Sequence, residues 1–314
     1  MNRQVGLRVR LFPLALACVA ALAAAGCQHA SAPSAELSPA PDKGSVQAAC
    51  CQDPEQYPRW MVAAVEPGAP VWGRAVAHIS LRRGYLAEQE DAQRLLLSKL
   101  QPLDLVVFSS KGRASGNLLP GLFTHVAIHT GTDSQLAGLG LWRDPELRGH
   151  RDTVRAGSRF IEADYRGVHL STPAGVFNTD RVVILRPRGI SATRRREASR
   201  SFFDHIGTDF DFYFDAGENR TVYCAELVNH LMPELALPIR QVYGRKAILP
   251  DEMIAASLDG DTSLAVAGYL KGSPNGWRQA SRADLARDLK ASWSRTPPAV
   301  ATNDAPTPVR PARQ

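Results

Sequence analysis

Apolar and polar positions divide this 314-residue chain into a patterned body between two ends without helical or strand periodicity. The first strong signal is Glu88 to Leu100, where apolar residues recur at helical spacing and predict an amphipathic helix. Asp104 to Ser109 follows as Asp-Leu-Val-Val-Phe-Ser, the continuous apolar run of a short buried strand. Pro120-Gly121 is turn chemistry, and His125 to Thr130 alternates as a second strand. Arg159 to Asp164 is a third, and Asp164-Tyr165-Arg166-Gly167 turns the chain into Val168 to Ser171. Arg181 to Arg186 reads as another buried strand. Helical patterns then run over Ala192 to His205 and Cys224 to Met232, and a further helix opens at Pro250 around Glu252 to Ser257. Strands in the middle with helices on either side predict an α+β fold, a small, mostly antiparallel sheet packed against helices.

The ends carry a different message. Arg3, Arg8 and Arg10 precede the apolar stretch Leu11 to Ala25, which reads as a secretion signal too short to span a bilayer comfortably. It closes in Leu22-Ala23-Ala24-Ala25-Gly26-Cys27, a series of small residues before cysteine that resembles a bacterial lipobox. On that reading residues 1–26 are removed and Cys27 becomes a diacylated N-terminus that holds the protein to a membrane. Gln28, in place of the aspartate that retains lipoproteins at the inner membrane, points to the outer membrane, facing the periplasm. Residues 27–54, rich in Ala, Pro and Ser, bury too little to offset chain entropy and are expected to form a tether. Residues 55–293, roughly 240 of them, suffice for a single domain. Residues 294–314 are proline-rich and expected to be disordered.

The net charge of +6 lacks the lysine–arginine run of a nucleic-acid binder. Its densest cluster, Arg194-Arg195-Arg196, fits the exposed face of a helix. The adjacent Cys50 and Cys51 stay open between oxidation, glutathionylation and intermolecular pairing.

Cys224 is the single cysteine of the predicted folded body, and an exported chain normally pairs its thiols. It begins a helix, where unpaired amides and the helix dipole favour a thiolate over the free thiol with its pKa of roughly 8.5. Strand alternation puts His125, Ala127 and His129 on one face, and Phe160, Glu162 and Asp164 on one face of the next strand. If those strands pair, His125 and Glu162 lie side by side as base and orienter, with Cys224 as nucleophile. The Cys224 backbone amide is a candidate oxyanion donor. His129 falls roughly 13 Å further along the strand. The two histidines are therefore too far apart to share zinc, and neither a metal nor a cofactor is expected. His169 and His205 read as surface or packing residues. Asp209, Asp211, Asp215 and Glu218 lack EF-hand spacing. They read either as a solvated loop or, through Asp209 or Asp211, as a contact for a cationic substrate group. Tyr165 and Tyr223 are expected in the walls of the same site, unless they are core residues.

The residues Asp104-Leu105-Val106-Val107-Phe108, Pro120-Gly121-Leu122-Phe123-Thr124-His125-Val126-Ala127-Ile128, Phe160-Ile161-Glu162-Ala163, Tyr223-Cys224-Ala225-Glu226-Leu227-Val228 and Leu249-Pro250-Asp251 resemble, as a set, the permuted papain-like amidases of the YaeF/YiiX type. These are relatives of NlpC-like cell-wall hydrolases in which histidine precedes cysteine. The resemblance implies a permuted papain-like fold with Cys224 as nucleophile, His125 as base and Glu162 as third member. Asp164, on the same face, is the alternative third member after the inserted stretch Thr132 to Ser158. Leu103 stands where that family often has glycine, and Ala225 where it often has serine. The expected function is a membrane-tethered cysteine hydrolase that cleaves an amide bond, for instance in cell-wall peptides, through a thioester. A lipid esterase or acyltransferase with the same triad, or a catalytically silent binding module, is the alternative.

Overall fold

Residues 44–217 and 220–294 are described by a computed structural model. The predicted signal, Cys27, most of the predicted tether and nearly all of the tail lie outside the described residues. Strands β1 Leu105–Ser109, β2 His125–His129, β3 Phe160–Asp164, β4 Gly167–Ser171, β5 Arg181–Pro187, β8 Leu264–Ser273 and β9 Gly276–Gln279 form one sheet. Its order is β4-β3-β2-β1-β5-β8-β9, and every ladder in it is antiparallel. A hairpin of β6 Arg240–Val242 and β7 Arg245–Ala247 stands apart. The helices of seven residues or more are α1 Arg59–Val65, α2 Ala69–Ala77, α3 Glu90–Lys99, α4 Ala192–Asp204, α5 Cys224–Leu231, α6 Pro250–Asp259 and α7 Arg282–Trp293. The α+β architecture expected from the pattern is the one found.

The sheet is covered on both faces, which explains why β1 and β5 are apolar at successive positions rather than alternate ones. Leu105, Val107, Val126, Ile128, Ile161 and Val183 share a core with residues of α4, α5, α6 and α7. Val106, Phe108, Ala127, Phe160, Val182 and Ile184 pack on the other side against Ala92 and Leu96 of α3 and against Phe177. Asp104 precedes β1 as a buried anchor. It accepts bonds of 2.9 and 2.7 Å from the Arg186 guanidinium and one of 2.8 Å from the Gln101 amide. Just before it, Leu103 is held at φ 72°, in the left-handed region where a β-carbon costs about 1–2 kcal/mol. The backbone there thus asks for the residue that the resembled family often carries.

Several elements carried no readable pattern. α1 and α2 bury no residue and are apolar almost all round, with one charged residue each, so no polar face sets off an apolar one. β8 lacks alternation because a register shift opposite Ile184 and Leu185 interrupts it. α7, by contrast, has a complete capping box, Ser281 with Asp284, that the sequence reading passed over. The inserted stretch forms three short helices, Asp133–Gly138, Pro145–Arg148 and Arg151–Arg155. The first two are capped by Thr132 and Asp144.

The predicted tether boundary at residue 54 moves towards the N-terminus. Ser45 caps a short helix, Val46–Ala49, and the first two amides of that helix each reach an Asp259 carboxylate oxygen at 2.9 Å. Cys50 and Cys51 are bonded to each other and buried in the first core. A poorly apolar segment is ordered here because the C-terminal end of α6 supplies acceptors for its free amides. Among the described residues no helix is long and apolar enough to cross a membrane.

Candidate active site

Helix α5 starts where the sequence changes character. Phe210 and Val222 form an isolated parallel bridge, and Tyr223 remains extended at φ −100°, ψ 173°. Glu226 then accepts the Tyr223 amide at 3.2 Å, which satisfies the entry to the helix and leaves Cys224 at its first position. The Cys224 thiol is nearly buried and opens onto a cleft of about 430 Å³.

His125 reaches this thiol from the opposite face of the sheet. It pairs with Phe108 across β1 and stacks edge-on against that ring at 4.9 Å, so it belongs to the α3 side, whereas Cys224 belongs to the α5 side. The two meet because His125 is the first residue of β2, at the strand end where α5 begins. His125 Nε2 lies 2.8 Å from Glu162 Oε2. The Cys224 sulfur faces the same imidazole. Ile128 opposite Ile161 and His129 opposite Phe160 set the register that puts His125 and Glu162 on one face.

The electrostatics follow from this packing. Burial works against a charged imidazole. The facing Cys224 sulfur and the Glu162 carboxylate outweigh it and hold the His125 pKa well above its ordinary value. Burial also works against the Glu162 carboxylate, but bonds from His125 and Ser171, with His169 nearby, bring its pKa down to about 2. Ser171 Oγ donates to Glu162 Oε1 and lies 3.1 Å from His169 Nε2. The chain of contacts is therefore Cys224–His125–Glu162–Ser171–His169. Ser171 was not singled out from the sequence, and His169 was read there as a surface or packing residue. Their positions on β4 opposite β3, Glu162 facing His169, are the signal that could have found them.

Asp164, the alternative third member, is committed elsewhere. It accepts the Arg166 amide and makes a two-oxygen pair with the Arg166 guanidinium at 2.7 to 3.2 Å. Glu162, Asp164 and His169 bring ligand atoms within 4.8 Å of one another. Glu162 and Asp164 are nevertheless consumed by His125, Ser171 and Arg166, so the cluster offers no open set of donors for a cation.

The remaining expectations divide. Tyr165 lines the cleft and meets His78 edge-on. Tyr223 does not line it. Its hydroxyl accepts the Ile248 amide at 2.8 Å within the core, and burial pushes its pKa well up. Asp211 is buried and accepts the amides of Tyr213 and Asp215, each at 2.7 Å, so it staples a turn and is not free for a cationic substrate. Asp209 is exposed and outside the cleft lining, its backbone carbonyl accepting the Val222 amide. The turn that Asp211 holds presents Phe210, Phe212 and Phe214, and all three line the cleft. Leu118, Leu119 and Leu170 add to this apolar wall, together with the side of α2 that carries Ala69, Gly73, Val76 and Ala77.

A second buried carboxylate positions the strand that carries His125. Asp251 accepts the amides of Leu122 and Phe123 and the Trp293 indole N–H, each at 2.7 Å. Gly121, at φ 88°, passes so close that a β-carbon there would stand 2.2 Å from an Asp251 oxygen. Burial raises the Asp251 pKa to about 6 against the pull of those donors. No protein-family model, curated protein or solved structure matches this chain.

Proposed function

We propose that this chain is a cysteine hydrolase of the permuted papain-like type, carried as a lipoprotein of the cell envelope. Cleavage would proceed through a thioester on Cys224. The observation that carries the reading is a thiol at a helix N-terminus facing an imidazole whose Nε2 lies on a buried carboxylate. In the reactive pair, Cys224 Sγ attacks the substrate carbonyl carbon and the oxyanion forms beside the Cys224 amide. That amide has no intrahelical acceptor at the first helical position. The His125 imidazolium gives its Nδ1 proton to the leaving nitrogen or oxygen, and the carbon–heteroatom bond breaks. His125 then takes a proton from water, hydroxide adds to the thioester, and the acid product departs as the thiolate returns. Glu162 holds the ring and stabilises its charge throughout.

An amide is the first substrate bond to consider, from the resemblance. A specific feature favours the second reading, an acyl chain on one side of the bond. The cleft is walled by four phenylalanines and three leucines, and Arg113 lines it with no ion pair among the described residues. Such walls suit a hydrocarbon better than a charged cell-wall peptide. The test is intact-mass analysis of the protein quenched during turnover of p-nitrophenyl esters, acyl amides and peptide amides. An adduct mapped to Cys224, with no adduct in Cys224→Ala, is expected. Undiminished turnover by Cys224→Ala would remove the proposal.

A further inference from the structure

Large exposed apolar side chains are concentrated in one stretch of the fold. Trp60 is 69% exposed, Val71 68%, Trp72 62% and Leu81 68%, with Val65 and Ile79 close behind. Apart from Tyr213, the other such residue among the described ones is Leu118, which lines the cleft from a short helix neighbouring α2. α2 has two working sides. Ala69, Gly73, Val76 and Ala77 face the cleft, and Gly73 lets the Phe212 ring approach, since a β-carbon there would stand 2.5 Å from it. Val71, Trp72 and Ala75 turn outward.

The chemistry of this surface selects its partner. Between residues 59 and 79 the only side chains with hydrogen-bonding or charged groups besides the two indoles are Arg59, Glu66, Arg74 and His78. A protein interface of useful size needs directional polar pairs at about one per 100–200 Å². This surface offers almost none. Glu66 is already engaged by Arg245. Arg74 lies 5.0 Å from the Phe212 ring centroid, and neither it nor Arg113 has a carboxylate partner among the described residues. Two tryptophans, short aliphatic side chains and unpaired guanidinium groups are the composition of a surface that sits in the headgroup region of an anionic bilayer.

We infer that α1, α2 and the segment to Leu81 form an interfacial docking surface for an anionic lipid bilayer, with the apolar cleft opening beside it. This contact is separate from any acyl anchor on Cys27 and does not require Cys224 to be reactive. An amphiphile could then pass from the bilayer along α2 towards the thiol without its chain crossing water.

The test uses the full chain carrying Cys224→Ala, reconstituted with vesicles of phosphatidylcholine and phosphatidylglycerol whose acyl chains are brominated. Bromine in the hydrocarbon quenches only indoles that enter it. The expected result is at least a one-third loss of tryptophan emission, abolished by Trp60→Ala with Trp72→Ala and weakened by Arg74→Gln in low salt. The exposed positions make the double variant fold-neutral, and an unchanged circular dichroism spectrum verifies this. Quenching that persists in the double variant overturns the inference. So does absence of quenching in the parent protein, or a dimer in sedimentation that the double substitution dissolves, which would mark the surface as a contact between copies.

Discussion

The cleft has two walls, and their polar groups are committed in opposite ways. On the sheet side, Glu162 is held by His125 and Ser171, and behind that wall Asp251 is held by two amides and an indole. On the side of α1 and α2, no residue of either helix is buried, and the tryptophans face outward. One wall places a few atoms accurately, because buried charge is tolerated only when every acceptor is met. The other is bound to the body by one apolar side and leaves its larger side chains to whatever it meets. Chemistry on this reading belongs to the first wall and delivery to the second.

Substitutions can break this division, and the largest effect belongs to the nucleophile. Cys224→Ser should reduce turnover of any substrate found by at least about a thousandfold while the fold persists. Loss of labelling by a thiol-reactive electrophile provides the independent measurement. Next, Glu162→Gln should lower turnover by about 10²–10⁴, since the amide neither fixes the imidazole nor stabilises its charge. The Glu162 carboxyl has a folded pKa of about 2 against 4.5 for the free group. Its stabilising contribution is therefore present above pH 4.5 and lost as pH falls towards 2. Acid unfolding followed by fluorescence should shift to higher pH in Glu162→Gln.

A smaller effect tests the support behind the first wall. Asp251→Asn keeps the shape but sets an amide donor against a backbone N–H, that of Phe123 or of Leu122, at a cost of about 1–3 kcal/mol in stability. Its sign with pH is opposite to that of Glu162. The Asp251 pKa rises from 3.8 to about 6 on folding, so the folded state binds the proton more tightly and stability falls as pH rises across that window. Glu252 beside it, raised to about 7, extends the trend. The denaturation midpoint of the parent should drop between pH 4 and 6, and Asp251→Asn should flatten that slope. The smallest effect belongs to the second wall. Trp60→Ala with Trp72→Ala should move stability by no more than about 0.5 kcal/mol per site, read as an unchanged melting temperature.

The sheet-side wall was largely legible. A histidine opening an apolar strand, a glutamate on the matching face of the next and a cysteine at a change from strand to helix are local patterns, and local patterns survive in sequence. Asp211 and Tyr223 were placed in the site because they neighbour it in sequence. Their side chains instead turn to backbone amides at Tyr213, Asp215 and Ile248. Whether an aspartate caps a turn or meets a ligand depends on which donors the folded backbone leaves free. α1 and α2 escaped for the complementary reason, since helices apolar almost all round carry no polar face to set off an apolar one.

By itself the sequence determined the α+β class, the main strands and helices of the body, and the three residue types that belong together, because periodicity and cap chemistry act over a few residues. Tertiary structure alone decided the rest. It brought His125 to Cys224 around the end of β2 and chose Glu162 over Asp164 by pairing Asp164 with Arg166. It also folded Val46–Ala49 onto Asp259 and left two tryptophans facing outward beside the cleft. Those outcomes depend on register, burial and competition for donors between residues far apart in the chain, which no local pattern records.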